Sequence, residues 1–352
     1  MAISNEVLNT TFADLRGPLV NSFVRSNELF EALNTKARMP MEGGSYIERS
    51  FTGGSPARGV GVYVGDELLN MTRRQNVKKF QVEPHRLVCA INIPKKELKM
   101  NSGKLAVIRL IEEYPQTVMD GAKADINSYL LTGVSRGIVF QTAELKGLLS
   151  LSGDVSDGIG TGVTNGLIDF TTPALQATAG QVVQGVAKAT SYFHYNQYAS
   201  IGTFSSEGIT KLRKMYRTCA HYAGSGKGPD LVIMDDDTYT NFEKDRRDLV
   251  RIKVVEDKTE KSNTLELGIG VAKVYSSIDL DVSNFSTAAA VAGCAYYLNT
   301  DFLEMPMSEA PNISEFKERV GDQDVVTALF SMQANLICTK TVAQGVVTGG
   351  VA

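Results

Sequence analysis

Gly43-Gly44-Ser45-Tyr46-Ile47-Glu48 is where the chain changes texture. Before it, Phe12, Leu15, Leu19, Phe23, Phe30 and Leu33 recur at helix-like spacing, and Gly17-Pro18 interrupts the run. A segment this short cannot bury its apolar side alone, so residues 1–40 must pack on the rest of the chain or on another copy. After it, from Ser45 to about Pro94, the pattern is that of strands. Val60, Val62 and Val64 alternate with Gly59, Gly61 and Tyr63, and Leu87, Cys89, Ile91 and Ile93 alternate with smaller or polar residues. The stretch between, Gly65 to Asn76, is polar. The pattern predicts a long hairpin whose tip is either mobile or in contact with a partner. Between Ser45 and Phe80 six basic residues (Arg49, Arg58, Arg73, Arg74, Lys78 and Lys79) face three acidic ones. A two-stranded ribbon is marginal alone in water, so something else must hold it.

Further on, the period changes to that of a helix. From Ser102 to Thr132, Ile108, Ile111, Val118, Ile126 and Tyr129 lie along one side, with Glu112, Glu113, Asp120 and Lys123 elsewhere. Ser102 suits an N-cap, Gly133 a C-terminal cap, and Pro115 predicts a bend. Ser150 to Thr172 reads as an exposed loop, and Thr172-Pro173 as the start of a helix through Val182, Val183, Val186 and Ala189. Ile201–Phe204 is read as a strand, followed by a helix capped by Ser205 or Ser206 and carrying Ile209, Leu212, Met215 and Cys219. Leu231–Met234 is a buried strand, and Asp235–Asp237 begin a helix to about Asp248. Val250–Val255 and Leu267–Tyr275 are expected strands. This alternation from about 200 to 280 predicts an α/β lobe. Val326, Ala328, Phe330, Met332, Ala334, Leu336 and Cys338 then alternate with polar residues as one long strand.

Composition limits the function classes. The 352 residues carry 36 Lys and Arg against 39 Asp and Glu, a formal charge of −3, which argues against a dedicated nucleic-acid binder. Four Cys cannot form a disulfide framework in so long a chain, which predicts a reducing compartment. No apolar run approaches the ~20 residues of a membrane helix, and the N-terminus lacks a secretory pattern. A soluble protein that works without export is expected.

The candidate chemistry is thin. Gly224-Ser225-Gly226-Lys227 resembles part of a phosphate loop, but His221 and Gly228 stand where Gly and Ser or Thr are needed; a helix-ending glycine turn explains it better. Asp235-Asp236-Asp237 reads as a helix N-terminus before it reads as a metal site. Cys219 and His221 point to different sides of a helix. His85 and Cys89 are about 13 Å apart along a strand, and His194 stands alone. No Gly-x-Ser-x-Gly, Gly-x-Gly-x-x-Gly or His-Glu-x-x-His motif is present. No catalytic, cofactor-binding or metal-binding residue is assigned, and an enzyme is not expected.

The order of these textures resembles the major capsid proteins of tailed bacteriophages, whose α+β Johnson fold is shared with encapsulins. Local stretches agree: Gly43–Glu48 followed by Tyr63-Val64-Gly65-Asp66-Glu67 looks like their E-loop, and Lys146-Gly147-Leu148-Leu149 like their Gly-Leu stretch. Ala295–Leu303 and Gly321-Asp322-Gln323-Asp324 are similar to their C-terminal part. The resemblance implies an N-terminal arm (1–43), an E-loop hairpin (44–98) and a P-domain with a long spine helix (99–195). An α/β A-domain (196–310) and a P-domain return strand with the C-terminus (311–352) follow. The chain would then be one interleaved body with two excursions.

The implied function is structural: pentamers and hexamers of an icosahedral shell enclosing double-stranded DNA. Implied partners are other copies, a separate scaffolding protein, a portal, DNA held by non-specific contact and a decoration protein, with no membrane. The implied location is the virion, after assembly in the host cytoplasm. Arg58, Arg73, Arg74, Lys78 and Lys79 are the expected subunit contacts on the ribbon, facing Glu112, Glu113 and Asp120 on a neighbour's helix. Some family members join subunits through a Lys–Asn isopeptide bond, but no Asn and Glu match that pattern here, so cross-linking is not expected. The competing readings are an encapsulin-type compartment and a soluble α/β enzyme.

Overall fold

A computed structural model describes residues 17–20, 28–41, 46–52, 77–82, 85–100, 114–122, 126, 130, 182–183, 186–187, 196–224, 227–249, 263–266, 271–276, 293–318 and 325–349. In chain order the first elements are α1 (Glu28–Lys36), β1 (Arg38–Pro40), β2 (Ile47–Thr52), β3 (Val77–Val82), β4 (His85–Pro94) and α2 (Lys95–Met100). Then come β5 (Val182–Val183), β6 (Val186–Ala187), β7 (Gln197–Ser200), α3 (Phe204–Ala223), β8 (Leu231–Met234) and α4 (Asp236–Leu249). The last are β9 (Asn263–Glu266), β10 (Val271–Ser276), β11 (Ala295–Leu298), β12 (Leu303–Ile313), β13 (Lys317–Glu318), β14 (Val325–Ala334), β15 (Ile337–Cys338) and β16 (Gly345–Thr348). Helical turns also lie at 17–20 and 114–122. Gly17 and Pro18, expected to interrupt a helical run, are themselves helical, and residues 1–16 and 21–27 on either side lie outside the described ones.

The chain divides into two compact units, each built from several separate segments. The first combines Met1–Ile47, Glu83–Gly147 and Glu304–Leu336. Its organising strand is β14, which pairs antiparallel with β4 along all ten residues on one side and with β12 and β13 on the other. Alternation sets the register: Val326 lies opposite Ile93 and Ala328 opposite Ile91, and all four are buried. Phe330, Met332 and Ala334 continue the same inward row. α1 buries Leu29, Phe30 and Leu33, and Met119, Ala122, Ile126 and Leu130 are buried at the same helical period. β1 runs parallel to β12, and Met305 N donates to Ala37 O at 2.7 Å. The latter part of the arm is therefore an integral element of this unit.

Two sequence expectations change here, and a third is met where it is described. The alternating run Leu87–Ile93 was assigned to the second arm of the hairpin. That arm is β3, paired with β2, whereas β4 belongs to the β14 sheet. Alternation identifies a half-buried strand but not its partner. The late strand ends at Ala334 rather than running to Cys338, because the Asn335 side chain accepts from Leu336 N at 2.8 Å and takes that amide out of the ladder. Of the Ser102–Thr132 helix, residues 114–122, 126 and 130 are helical, and its expected beginning lies outside the described residues.

The second unit combines Glu48–Val82, Leu148–Leu303 and Ile337–Ala352. Its six-stranded sheet has the order β7-β16-β11-β8-β10-β9. β8 and β10 are parallel neighbours with α4 in the crossover between them, the α/β arrangement the alternation predicted. β8 and β11 are buried at every residue. α3 lays Leu212, Met215 and Cys219 into a core shared with Val232, Met234 and Tyr297. β16 is an interior strand of this sheet, next to the edge: the C-terminal segment enters it parallel to β7 and antiparallel to β11.

Other local departures have simple causes. Val182–Val183 and Val186–Ala187 pair as two short antiparallel strands, not as a helix. Three of these four residues are valine, whose branched side chains favour strands. Of Leu267–Tyr275, residues 271–275 belong to β10, which pairs antiparallel with β9, and residues 267–270 lie outside the described residues. Ser200 ends β7, and Phe204 already begins α3, so Ile201–Phe204 is the junction; Thr203 takes the N-cap position expected of Ser205 or Ser206. Val250–Val255 lies outside the described residues.

Candidate functional site

Two features of the second unit combine exposure, charge and fixed geometry. The first is a polar seam beyond the ends of β8 and β11. Asp230 accepts from Thr300 N at 2.8 Å and from Thr300 Oγ1 at 2.6 Å. Asn299 N donates to Gln344 Oε1 at 2.8 Å, and Gln344 Nε2 returns a bond to Asn299 O at 3.1 Å. Gln344 is fully buried, so its side chain extends the β11–β16 ladder by one rung through an amide that mimics a peptide. Lys227 Nζ lies 3.3 Å from Asp301 Oδ2 at the exposed edge. Every group named here is matched by another protein group, which is the pattern of a structural clasp.

The second feature is the outer side of α3. With Leu212, Met215, Tyr216 and Cys219 turned inward, Thr210, Arg213, Lys214, Arg217 and His221 are left exposed on the opposite side. Glu207 is held by Lys211 Nζ at 2.6 Å, and this bond keeps its carboxyl below the usual range. Lys211 also donates to Ser200 O, fixing α3 to the end of β7. Among the described residues no carboxylate pairs with Arg213, Lys214 or Arg217. The sequence reading passed over this stripe, although the apolar spacing it used for the helix already assigns these residues to the far side.

Of the expected subunit contacts, Lys79 is an exposed residue of β3, its Nζ 3.6 Å from Glu48 Oε2 of the same hairpin. An exposed pair at that distance is worth about 0–1 kcal/mol. Asp120 is exposed on the 114–122 helix, beside the buried Met119. Lys79 belongs to the second unit and Asp120 to the first. Lys78 lies on β3. Arg58, Arg73, Arg74, Glu112 and Glu113 lie outside the described residues.

The candidate chemical motifs resolve into structural roles. Gly224 is the C-cap of α3 with φ 75°, in the left-handed region, as the glycine-turn reading requires. The preceding carbonyl, Ala223 O, accepts from Lys340 Nζ at 2.9 Å; burial pushes that ammonium's pKa down, and it lies over the Phe302 ring. Asp235 is buried directly before α4, and its Oδ2 accepts from Gly293 N at 3.1 Å. Cys219 is buried and His221 exposed, so they do not converge. All four cysteines are free thiols. Among the described residues there is no cluster of three or more His, Cys, Asp or Glu able to hold a metal, and no helix long and apolar enough to cross a membrane.

No protein-family model matches the sequence, and no curated protein does. Solved structures do match. The chain is similar to a chain of the cyanophage A-1(L) capsid, with 14% identity, 92% of this chain and 93% of that chain covered, and a TM-score of 0.61. For the capsid of Myoviridae phage XM1 the values are 12%, 90% and 90%, and 0.52. For the capsid of a native GTA particle they are 11%, 90% and 89%, and 0.51. At these identities the likeness concerns the fold, and it runs through nearly the whole of both chains in each case. This protein has the α+β Johnson fold of the tailed-bacteriophage major capsid proteins.

Proposed function

We propose that this protein is a major capsid subunit, a structural protein that self-assembles into pentamers and hexamers of an icosahedral shell around double-stranded DNA. The observation that carries the reading is the likeness to the cyanophage A-1(L) capsid chain over 92% of this chain. The local physics agrees. The β2–β3 pair is a two-stranded sheet with an exposed ion pair, marginal in isolation and suited to lying across a neighbouring subunit. In this reading the ribbon is the segment Glu48–Val82, and Arg58, Arg73, Arg74, Lys78 and Lys79 supply its contacts to Glu112, Glu113 and Asp120 of a neighbour. Many weak pairs repeated over a closed shell would hold it together. A scaffolding protein, a portal and a decoration protein are the further partners, the host cytoplasm is the place of assembly, and no catalytic step is assigned.

Negative-stain microscopy of the purified protein tests the proposal. Uniform closed shells are expected; a small, discrete oligomer at every concentration would refute it. The contents of the shells then discriminate: DNA supports the capsid, whereas a protein cargo without nucleic acid would make this an encapsulin-type compartment.

A further inference from the structure

We propose that the outward face of α3 binds the phosphate backbone of double-stranded DNA through Arg213, Lys214 and Arg217. The inference rests on the shell reading and names the surface that would meet the packaged nucleic acid. It starts from an imbalance: the whole chain is net acidic, yet this stripe presents three exposed cations and no acid. The only carboxylate on α3, Glu207, is already held by Lys211. Arg213 and Arg217 are one helical turn apart, about 6 Å along the axis, with Lys214 between them, so the three charges can meet adjacent phosphates together.

The helix supporting them is held in place. It is packed along its inner side, tied to β7 by Lys211 and closed at its C-terminus by Lys340, so the cations project from a fixed element. Arginine's planar fork suits phosphate oxygens, and the stripe offers nothing to read a base edge, so the contact would be independent of sequence. An acidic face of another copy is the competing occupant. Subunit interfaces have an apolar centre, however, and Thr210, Arg213, Lys214, Arg217 and His221 include no aliphatic or aromatic hydrocarbon side chain. Charged, wet contacts of this kind are the habit of nucleic-acid surfaces.

The test uses the full-length protein before assembly, with a fluorescent duplex of random sequence titrated at several salt concentrations. R213Q/K214Q/R217Q is compared with the wild type and with R213K/R217K, circular dichroism confirming that each is folded. The slope of log affinity against log salt should fall by about 2–3 in the glutamine variant and hold in the lysine variant. Equal slopes in all three proteins, or no duplex binding by the wild type, would overturn the proposal. So would a glutamine variant that binds DNA normally but no longer forms shells, which would make the stripe a subunit contact. The shell reading fails separately, if the wild type forms no shells while the slope still falls.

Discussion

Asp235 is a carboxylate placed where water barely reaches. Burial pushes its pKa up, and the bond from Gly293 N only partly offsets this by favouring the charged form. A carboxyl whose folded pKa is raised is most favourable to stability below its unfolded value, ~3.9, and loses that contribution as pH rises through the folded value. Asp235→Asn retains an oxygen to accept from Gly293 N and removes the ionisation. The variant should therefore melt at a higher temperature than the wild type at pH 8, with the gap closing below pH 4. Thermal melts across that range check this, and a constant gap would show that the charge is not responsible. Two of the thiols show the same burial: Cys219 is fully enclosed, and burial pushes the Cys294 pKa up to about 12.

At the scale of elements, α3 packs closely on β16. A Cβ on Gly345 would stand 2.7 Å from both Cys219 Sγ and Met215 Sδ. Gly345→Ala should cost about 1–3 kcal/mol through overpacking, read as a lower denaturant midpoint with an unchanged slope. An unchanged midpoint would mean that α3 can move away from the sheet. β16 also marks what the sequence does and does not disclose. α3, α4, β8 and the inward row of β14 are legible because one local period decides each. The partner of β4 is not legible, since it lies more than 200 residues away and alternation is blind to distance. Nor is β16 distinctive, because Gly-Val-Val-Thr is too short to show a period. The outward cations of α3 are legible from helical spacing alone, whereas the clasp of Gln344 with Asn299 depends on two strands meeting.

For the whole molecule, both units are assembled from segments far apart in sequence. Removing the last segment of the second unit should therefore act well beyond its own length. A chain ending at Lys340 lacks Gln344 and β16, leaving the Asn299 main-chain groups without their partner and β7 and β11 without the strand between them. It should form no shells, and its β11 amides should lose protection from hydrogen exchange. Shells indistinguishable from those of the full chain would contradict this. The same strand order has a consequence for synthesis. β16 comes later in the chain than both strands it joins, β7 and β11. A nascent chain thus cannot close this sheet until β16 has been synthesised.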